Sequence, residues 1–341
     1  MQRLRKPYLL YLGDARNPLD AKTALGLRDW CRADVVGEWS MSSSTITVGL
    51  PRLSPAEAAS RGAGSIVIGI APVGGQLPEA WLSDLEDAIH AGLDVVSGMH
   101  TRLTSFPSLV RAAATKGVRL VDVRHTDLPI PAATGRKRSG MRVATVGTDC
   151  ALGKKYTALA LTRTLLELGA RATFRATGQT GIMIAGEGIA IDAVVADFIA
   201  GAAEMLSPDN APDHWDVIEG QGALFHPAYA GVTLGLLHGS QPDAFVLCHD
   251  PARTSHEFFP DFPLPSLRDA VAQYLQAARV TNKAVRCVGI SINSASLSDS
   301  AWAAYAAAVS SELHVPVCDP LRGGVGPIAE ALLGRSAGRA S

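Results

Sequence analysis

A glycine-rich stretch, GTDCALGKK at residues 147–155, has the residue types of a phosphate-binding loop. Gly147, Gly153 and Lys154 supply the glycines and the lysine of the pattern G-x-x-x-x-G-K-[ST], but Lys155 stands where the magnesium-binding hydroxyl is expected. In such loops, backbone N–H groups and a helix N-terminus converge on an anion while the lysine adds a point charge. We therefore expect a phosphate-bearing ligand to contact Gly147, Thr148, Asp149, Cys150, Ala151, Leu152, Gly153, Lys154, Lys155 and Tyr156.

A second acidic motif lies downstream, in VIEGQGAL at residues 217–224. Phosphate-loop proteins place a carboxylate at the end of an apolar strand, close to the bound phosphates. Glu219 has this position, which predicts either a metal ligand or a general base. The alternative is that Glu219 only caps the following turn.

Other polar residues follow predicted strands, and ligands bind at the carboxyl ends of parallel strands. Arg253 and Arg322 could hold carboxylates as planar forks or could bridge domains. Cys150 lies at a helix N-terminus, but no histidine adjoins it, so we expect it to pack rather than to act as a nucleophile. No histidine pair has the H-x-x-x-H spacing of zinc sites, so we expect no metal. Further candidates are Arg175, Gln179 and Thr180 in FRATGQTG, His100 in SGMHTRL, and His226, His238, His249 and His256.

The elements that must position these residues alternate between strand and helix. Short apolar runs such as PYLLYLG, SIVIGIAPVGG and LDVVSGMH alternate with helical patterns such as PEAWLSDLEDAIHAG, which predicts parallel α/β sheets. MRVATVG, the glycine loop and KKYTALALTRTLLELG then form a strand, a loop and a helix. We predict a first domain over residues 1–130, a linker over 131–140, a phosphate-loop domain over 141–335 and a flexible tail over 336–341.

Composition excludes several classes of protein. A net charge of -1 gives no general attraction to nucleic acid or anionic membrane, and no apolar run is long enough to span a bilayer. The five cysteines show no disulfide or C-x-x-C spacing, which favours a reducing cytoplasm. No G-x-G-x-x-G follows the first strand, so dinucleotide binding has no support. We expect small-molecule substrates and a homo-oligomer.

Taken together, the motifs resemble the D-glutamate N-acetyltransferases. The resemblance rests on GTDCALGKKYTALAL, FRATGQTGIMIAG, DAVVADFIAGAAEMLSP, DHWDVIEGQGALFHPAYAGVTLGLLHGSQPDA and PLPSLRDAV, with AKTALGL, VIGIAPVGGQLPEAW and VVSGMHTRL extending it to the first domain. It implies a Rossmann-like N-terminal domain, a P-loop NTPase-like C-terminal domain, and acetyl transfer from acetyl-CoA to the amine of D-glutamate. The loop would then anchor the phosphates of CoA, and thioester aminolysis would not need the metal.

This implied reaction assigns further roles. D-glutamate brings two carboxylates, for which we expect two of Arg175, Arg253 and Arg322 as partners, with His100 and Gln179 as further substrate contacts. Glu219 is the first candidate for the general base, His226 the second and Asp149 the third. Thr180 or loop amides would stabilise the oxyanion.

Two alternatives remain open. The loop also resembles that of dethiobiotin synthetase, which suggests an ATP-dependent carboxylase or ligase in which Thr157 or Glu219 recruits magnesium for ATP. A regulatory or scaffold protein that senses a nucleotide without turnover is the other alternative.

Overall fold

The chain forms two compact units, seen in a computed structural model that describes residues 3–70, 75–125 and 128–335. One unit comprises the described residues up to Leu128 together with Gly178–Ala193. The other comprises Pro129–Thr177 and the described residues from Val194 onward. The predicted tail over 336–341 lies outside the described residues.

The first unit is built on a five-stranded parallel sheet. Its strand order is β2-β1-β3-β4-β5. The chain adds β2 on one side of β1 and then adds β3, β4 and β5 on the other side, as in doubly wound α/β folds. The elements are β1 Tyr8–Tyr11, α1 Lys22–Trp30, β2 Val35–Trp39, α2 Pro55–Ser60, β3 Ser65–Ile68, α3 Leu82–His90, β4 Asp94–Ser97, α4 Pro107–Lys116 and β5 Leu120–Asp122. The Rossmann-like prediction for this part of the chain is confirmed.

The second unit contains a six-stranded parallel sheet in the order β13-β12-β9-β6-β8-β7, and a short antiparallel hairpin, β10-β11. Buried residues fill β6, β8, β9 and β12, the central strands, because helices cover both faces of a parallel sheet. The elements are β6 Met141–Gly147, α5 Lys154–Glu167, β7 Arg171–Arg175, α6 Gln179–Ala185, α7 Ile199–Leu206, β8 His214–Ile218, α8 Ala230–Ser240, β9 Ala244–His249, β10 Ser255–His256, β11 Phe259–Pro263, α9 Leu267–Ala278, β12 Arg286–Ile292, α10 Asp299–Leu313, β13 Val317–Cys318 and α11 Gly326–Leu332. Of these, α6 belongs to the first unit.

The helix α6 shows that the first unit is not continuous in sequence. Its Ile182, Met183 and Ile184 are buried, and its C-terminus accepts hydrogen bonds from the start of the chain. Lys6 Nζ donates to the Ile184 carbonyl oxygen at 2.9 Å, and the Tyr8 hydroxyl donates to that of Met183 at 3.0 Å. The predicted 141–335 domain therefore includes a segment, residues 178–193, that packs with the first unit.

The predicted linker is an ordered segment of the second unit. Arg136 pairs with Asp209 at 2.5 Å and Lys137 with Asp243 at 2.7 Å. Arg138 is buried, which lowers its pKa to about 10, and its guanidinium donates to the Ser207 carbonyl oxygen. These cations therefore hold the start of β6 in place.

Most predicted strands are confirmed, and β2 is the main omission in the first unit. Glu38 lies within β2, yet it is buried and its carboxylate accepts hydrogen bonds from the N–H groups of Val48 and Leu50. A charged residue inside VVGEW hides the apolar pattern that would have identified the strand. Within the described ranges, no helix combines the length and the apolar character needed to cross a membrane.

Candidate phosphate-binding site

The glycine loop connects the end of β6 to the start of α5, as its sequence predicts. Five residues separate Gly147 from Gly153, one more than in the four-residue pattern, so the earlier match to that pattern was inexact. The extra length is accommodated by left-handed backbone at Ala151 (φ 53°) and Gly153 (φ 100°). Gly147 is required by space, since a Cβ there would lie 2.9 Å from the carbonyl oxygen of Asp149.

Lys154 lies inside this loop and is only 7% exposed. Its Nζ donates to the carbonyl oxygen of Asp149 at 2.8 Å, so the ammonium closes the loop across its own backbone. Burial lowers the pKa of Lys154. A desolvated cation at the N-terminus of a 14-residue helix is a strong attractor for an anion.

Glu219 follows β8 and lies beside the loop. Its Oε2 accepts a hydrogen bond from the Thr177 N–H at 2.9 Å, and the Thr177 hydroxyl donates to its carbonyl oxygen at 2.6 Å. The next residue, Gly220, has no room for a side chain, because a Cβ would lie 1.7 Å from the carbonyl oxygen of Thr145 and 3.0 Å from Cδ of Lys154. The backbone that follows the strand-end acid is therefore packed against the side chain of Lys154.

Lys155 occupies the position where a hydroxyl is expected. Its ammonium is partly buried, and burial lowers its pKa while the negative charge of Glu219 opposes that shift. The nearest aliphatic hydroxyl along the helix, that of Thr157, is 1% exposed. It donates to the Gly153 carbonyl oxygen at 3.1 Å and lies 2.7 Å from the Ser291 hydroxyl.

Asp149 anchors the loop through a fully buried carboxylate. Oδ1 accepts from His256 Nδ1 at 2.9 Å, while Oδ2 accepts from Arg253 Nη1 at 2.7 Å and from the Glu257 N–H at 2.9 Å. Burial alone would raise the pKa of Asp149, but the bonds from His256 and Arg253 outweigh it and lower the pKa to about 2. These bonds tie the hairpin β10-β11 to the loop.

Asp149, His226 and His256 also form a cluster whose possible ligand atoms all lie within 4.8 Å of one another, a spacing that could hold a metal ion. The positions of the imidazole protons favour a hydrogen-bonded network instead of a metal site. Nδ1 of His226 accepts the Ala228 N–H at 3.1 Å, so its proton is on Nε2, which faces Asp149 at 3.8 Å. His256 likewise donates from Nδ1. Both imidazole nitrogens that face Asp149 therefore carry a proton, and neither has a lone pair with which to bind a metal ion.

A cavity of about 160 Å³ opens beside the loop. It lies between Ala151–Gly153, the first turn of α5 and the ends of β12 and β13. Ile292, Pro320 and Leu321 give it apolar surface, and the Asn293 side chain is held by Asp250 at 3.0 Å. No motif in the sequence marks this cavity, although several of its residues follow predicted strands as ligand-binding residues do.

The three predicted carboxylate forks each bind a carboxylate of the protein itself. Arg175 donates to the buried Asp216 at 2.8 Å, and Arg253 donates to Asp149. Arg322 pairs with Asp299 and donates to the Leu297 carbonyl oxygen at 3.1 Å. These contacts give the arginines structural roles and lend no support to their assignment as substrate forks.

The remaining predicted residues divide between the two units. Cys150 is in the loop, and burial raises the pKa of its thiol, which agrees with packing rather than nucleophilic attack. His100, Gln179 and Thr180 belong to the first unit instead. Gln179 lies at the start of α6 and accepts a hydrogen bond from Arg124.

A glycine loop between a central parallel strand and a helix, with a strand-end acid beside it, defines a phosphate-loop protein preceded by a Rossmann-like unit. Residues 34–126 match the Rossmann-like domain, and residues 131–329 the P-loop domain, of the domain of unknown function DUF1611. The chain belongs to the DUF1611 family.

Relatives in this family carry a named activity. The D-glutamate N-acetyltransferase of Tritonibacter scottomollicae is 45% identical, with 96% of this chain and 99% of that protein aligned. The D-glutamate N-acetyltransferase of a Pseudoalteromonas species is 46% identical, with 97% and 99% aligned. The crystal structure of a DUF1611 protein from Anabaena variabilis is 33% identical, with a TM-score of 0.83 over 96% of this chain and 99% of that one. The resemblance stated from the motifs is confirmed.

Proposed function

We propose that this protein transfers an acetyl group from acetyl-CoA to the amine of D-glutamate. The observation that carries the proposal is its similarity, along nearly its full length, to two proteins named for that activity. The phosphate loop supports it, because CoA contains a diphosphate that such a loop can hold. The neutral amine attacks the thioester carbonyl, the C–S bond breaks, and CoA leaves as the thiol.

The loop is proposed to serve as an anchor for the co-substrate. Loop amides and Lys154 would bind the diphosphate, and the adjoining cavity of about 160 Å³ would receive the adenosine. Its apolar wall at Pro320 and Leu321 suits the face of a purine, and the Asn293 amide offers polar contacts to the ring edge. No phosphoanhydride bond is cleaved in this reaction, so a metal to activate one is not required.

The length of CoA separates the anchor from the reacting atoms. Its pantetheine arm is as long as about four extended residues, roughly 14 Å. When the arm is extended, the thioester therefore lies well beyond Asp149, which is part of the loop, and Glu219, whose neighbour Gly220 packs against Lys154. We accordingly propose an anchoring role for Glu219 instead of the general-base role first expected from sequence.

The other two candidate bases are unsuited to proton abstraction for separate reasons. A carboxylate with a pKa of about 2, as at Asp149, is too weak a base for an ammonium group. His226 has its Nδ1 lone pair engaged by Ala228, and burial lowers its pKa. We call the loop at residues 147–154, together with Lys155 and Glu219, the phosphate cradle. The proton acceptor is therefore proposed to lie outside this cradle.

Exposed aromatic residues beside the loop suit the apolar part of the arm. Phe258 is 88% exposed, and Phe262 and Tyr229 are about half exposed. Phe258 and Phe262 belong to the hairpin that Asp149 ties to the loop through His256 and Glu257, and Tyr229 stacks on His226, which faces Asp149. We propose that the arm crosses this surface as it leaves the cradle.

The test is an acetyl-transfer assay with purified protein. Acetyl-CoA is mixed with a panel of D- and L-amino acids, and free thiol is recorded with and without ATP and Mg²⁺. We expect thiol release with D-glutamate, without ATP, and little with L-glutamate. Turnover that requires ATP would favour the carboxylase or ligase alternative, and no turnover with any amino acid would favour the regulatory one.

A further inference from the structure

Two positions of the sequence correspond to those that hold magnesium in P-loop nucleotide enzymes, and in this chain one of them is a lysine. There, the hydroxyl after the loop lysine and the strand-end acid both coordinate Mg²⁺. Here Lys155 replaces the hydroxyl and Glu219 occupies the acid position. The two side chains are close enough for the charge of Glu219 to affect the pKa of Lys155.

The residues of the cradle do not fit a magnesium ion. Mg²⁺ prefers six oxygen ligands in near-octahedral geometry, usually including protein carboxylates. The Thr157 hydroxyl is buried and already engaged with Gly153 and Ser291, and the carboxylate of Asp149 is engaged with Arg253 and His256. The carboxylate of Glu219 already accepts the Thr177 N–H, and the nearby ammonium of Lys155 would repel a dication.

The ammonium of Lys155 is available to bind an anion. Among the residues that the structure describes, its ammonium donates no hydrogen bond and forms no ion pair. The structure gives it a cation–π contact with Tyr156, in which Nζ lies 5.2 Å from the ring centroid. It sits on the first turn of α5, next to Lys154, where the helix dipole also favours an anion.

We propose that Lys155 takes the place of the metal, so that the cradle binds a diphosphate without Mg²⁺. Lys154 and Lys155 would supply the two positive charges that offset the two negative charges of the diphosphate, and the negative charge of Glu219 would favour the charged form of Lys155. This inference rests on the proposed function in one respect, the identity of the ligand as the diphosphate of CoA. It extends the proposal by assigning a specificity residue to the anchor.

The experiment measures binding by calorimetry, with CoA and ADP as separate probes, in EDTA and then in excess Mg²⁺. Wild-type protein should bind CoA equally well in both buffers. Lys155→Met should weaken binding by about ten- to a hundredfold in both buffers, the value of one charge-assisted contact. Lys155→Thr, which restores the hydroxyl, should bind weakly in EDTA and regain affinity in Mg²⁺.

Lys283→Met is the matched control, because it removes an exposed charge from the same unit and should leave affinity unchanged. Thermal melting of each variant verifies folding, and Lys155→Arg should retain most of the affinity. The inference is overturned if Mg²⁺ tightens wild-type binding tenfold or more, or if Lys155→Met binds both probes as tightly as wild type.

Failure of the inference and failure of the proposed function give different results. Metal-independent, Lys155-dependent binding of CoA or ADP would uphold the inference even if D-glutamate were not acetylated. Acetylation of D-glutamate with unchanged CoA affinity in Lys155→Met would uphold the function and refute the inference.

Discussion

Replacing Asp149 by asparagine removes a buried charge that three donors hold within the phosphate loop. The substitution keeps the shape of the side chain but turns one acceptor oxygen into a donor that faces Arg253 or His256. We expect the variant to be less stable than wild type at neutral pH, with a difference that shrinks in acid.

The magnitude follows from the pKa of Asp149, which falls from 3.8 to about 2 on folding. At 1.36 kcal/mol per pKa unit, ionisation of this carboxylate contributes about 2.4 kcal/mol to folding at pH 7. Because the folded pKa is the lower one, the contribution is complete above the unfolded pKa and is lost as pH falls through 2. About 1 kcal/mol of it is gone by pH 3.

Urea unfolding of wild type, Asp149→Asn and the control Asp261→Asn at pH 7 and pH 3 measures this difference. Asp261 is exposed on the hairpin, so its replacement should cost little at either pH. The Asp149 reasoning is refuted if the stability gap between wild type and Asp149→Asn is the same at both pH values.

Three further predictions concern the same unit. Gly220→Ala should destabilise the protein by more than about 2 kcal/mol, since its Cβ would lie 1.7 Å from a backbone oxygen; a melting temperature equal to wild type would contradict this. Cys150→Ser should keep full thiol release from acetyl-CoA, because burial keeps the Cys150 thiol protonated, and a loss of turnover without loss of CoA affinity would restore a nucleophilic role. Glu219→Gln should raise the KM for acetyl-CoA several-fold or more, with kcat less affected; the reverse pattern would restore Glu219 as the general base.

Much of the fold could be predicted from the sequence because many of its strands are apolar runs, several of which are followed by glycine. Such runs mark buried parallel strands, and the strand, loop and helix around Gly147 and Lys154 identify the P-loop directly. The position of α6 could not be predicted. Its glycines indicate a turn, and only packing against Tyr8 and Lys6 makes Gln179–Ala185 part of the first unit.

The partners of the site residues were also hidden from the sequence. Arg253 and His256 lie more than a hundred residues from Asp149, and no local pattern shows that they bind its carboxylate. The same is true of Tyr274, whose hydroxyl donates to the Gly147 carbonyl oxygen at 2.8 Å. Spacing identifies the P-loop, whereas long-range packing decides which charges nearby are already paired.

The most direct test of the central claim is a crystal structure of the protein with bound CoA. We predict that the diphosphate lies within hydrogen-bonding distance of the amides of residues 147–154 and of the ammonium groups of Lys154 and Lys155, with no Mg²⁺ between them. CoA bound elsewhere with its diphosphate outside this loop, or a metal ion coordinated by Glu219 at the cradle, would contradict the account.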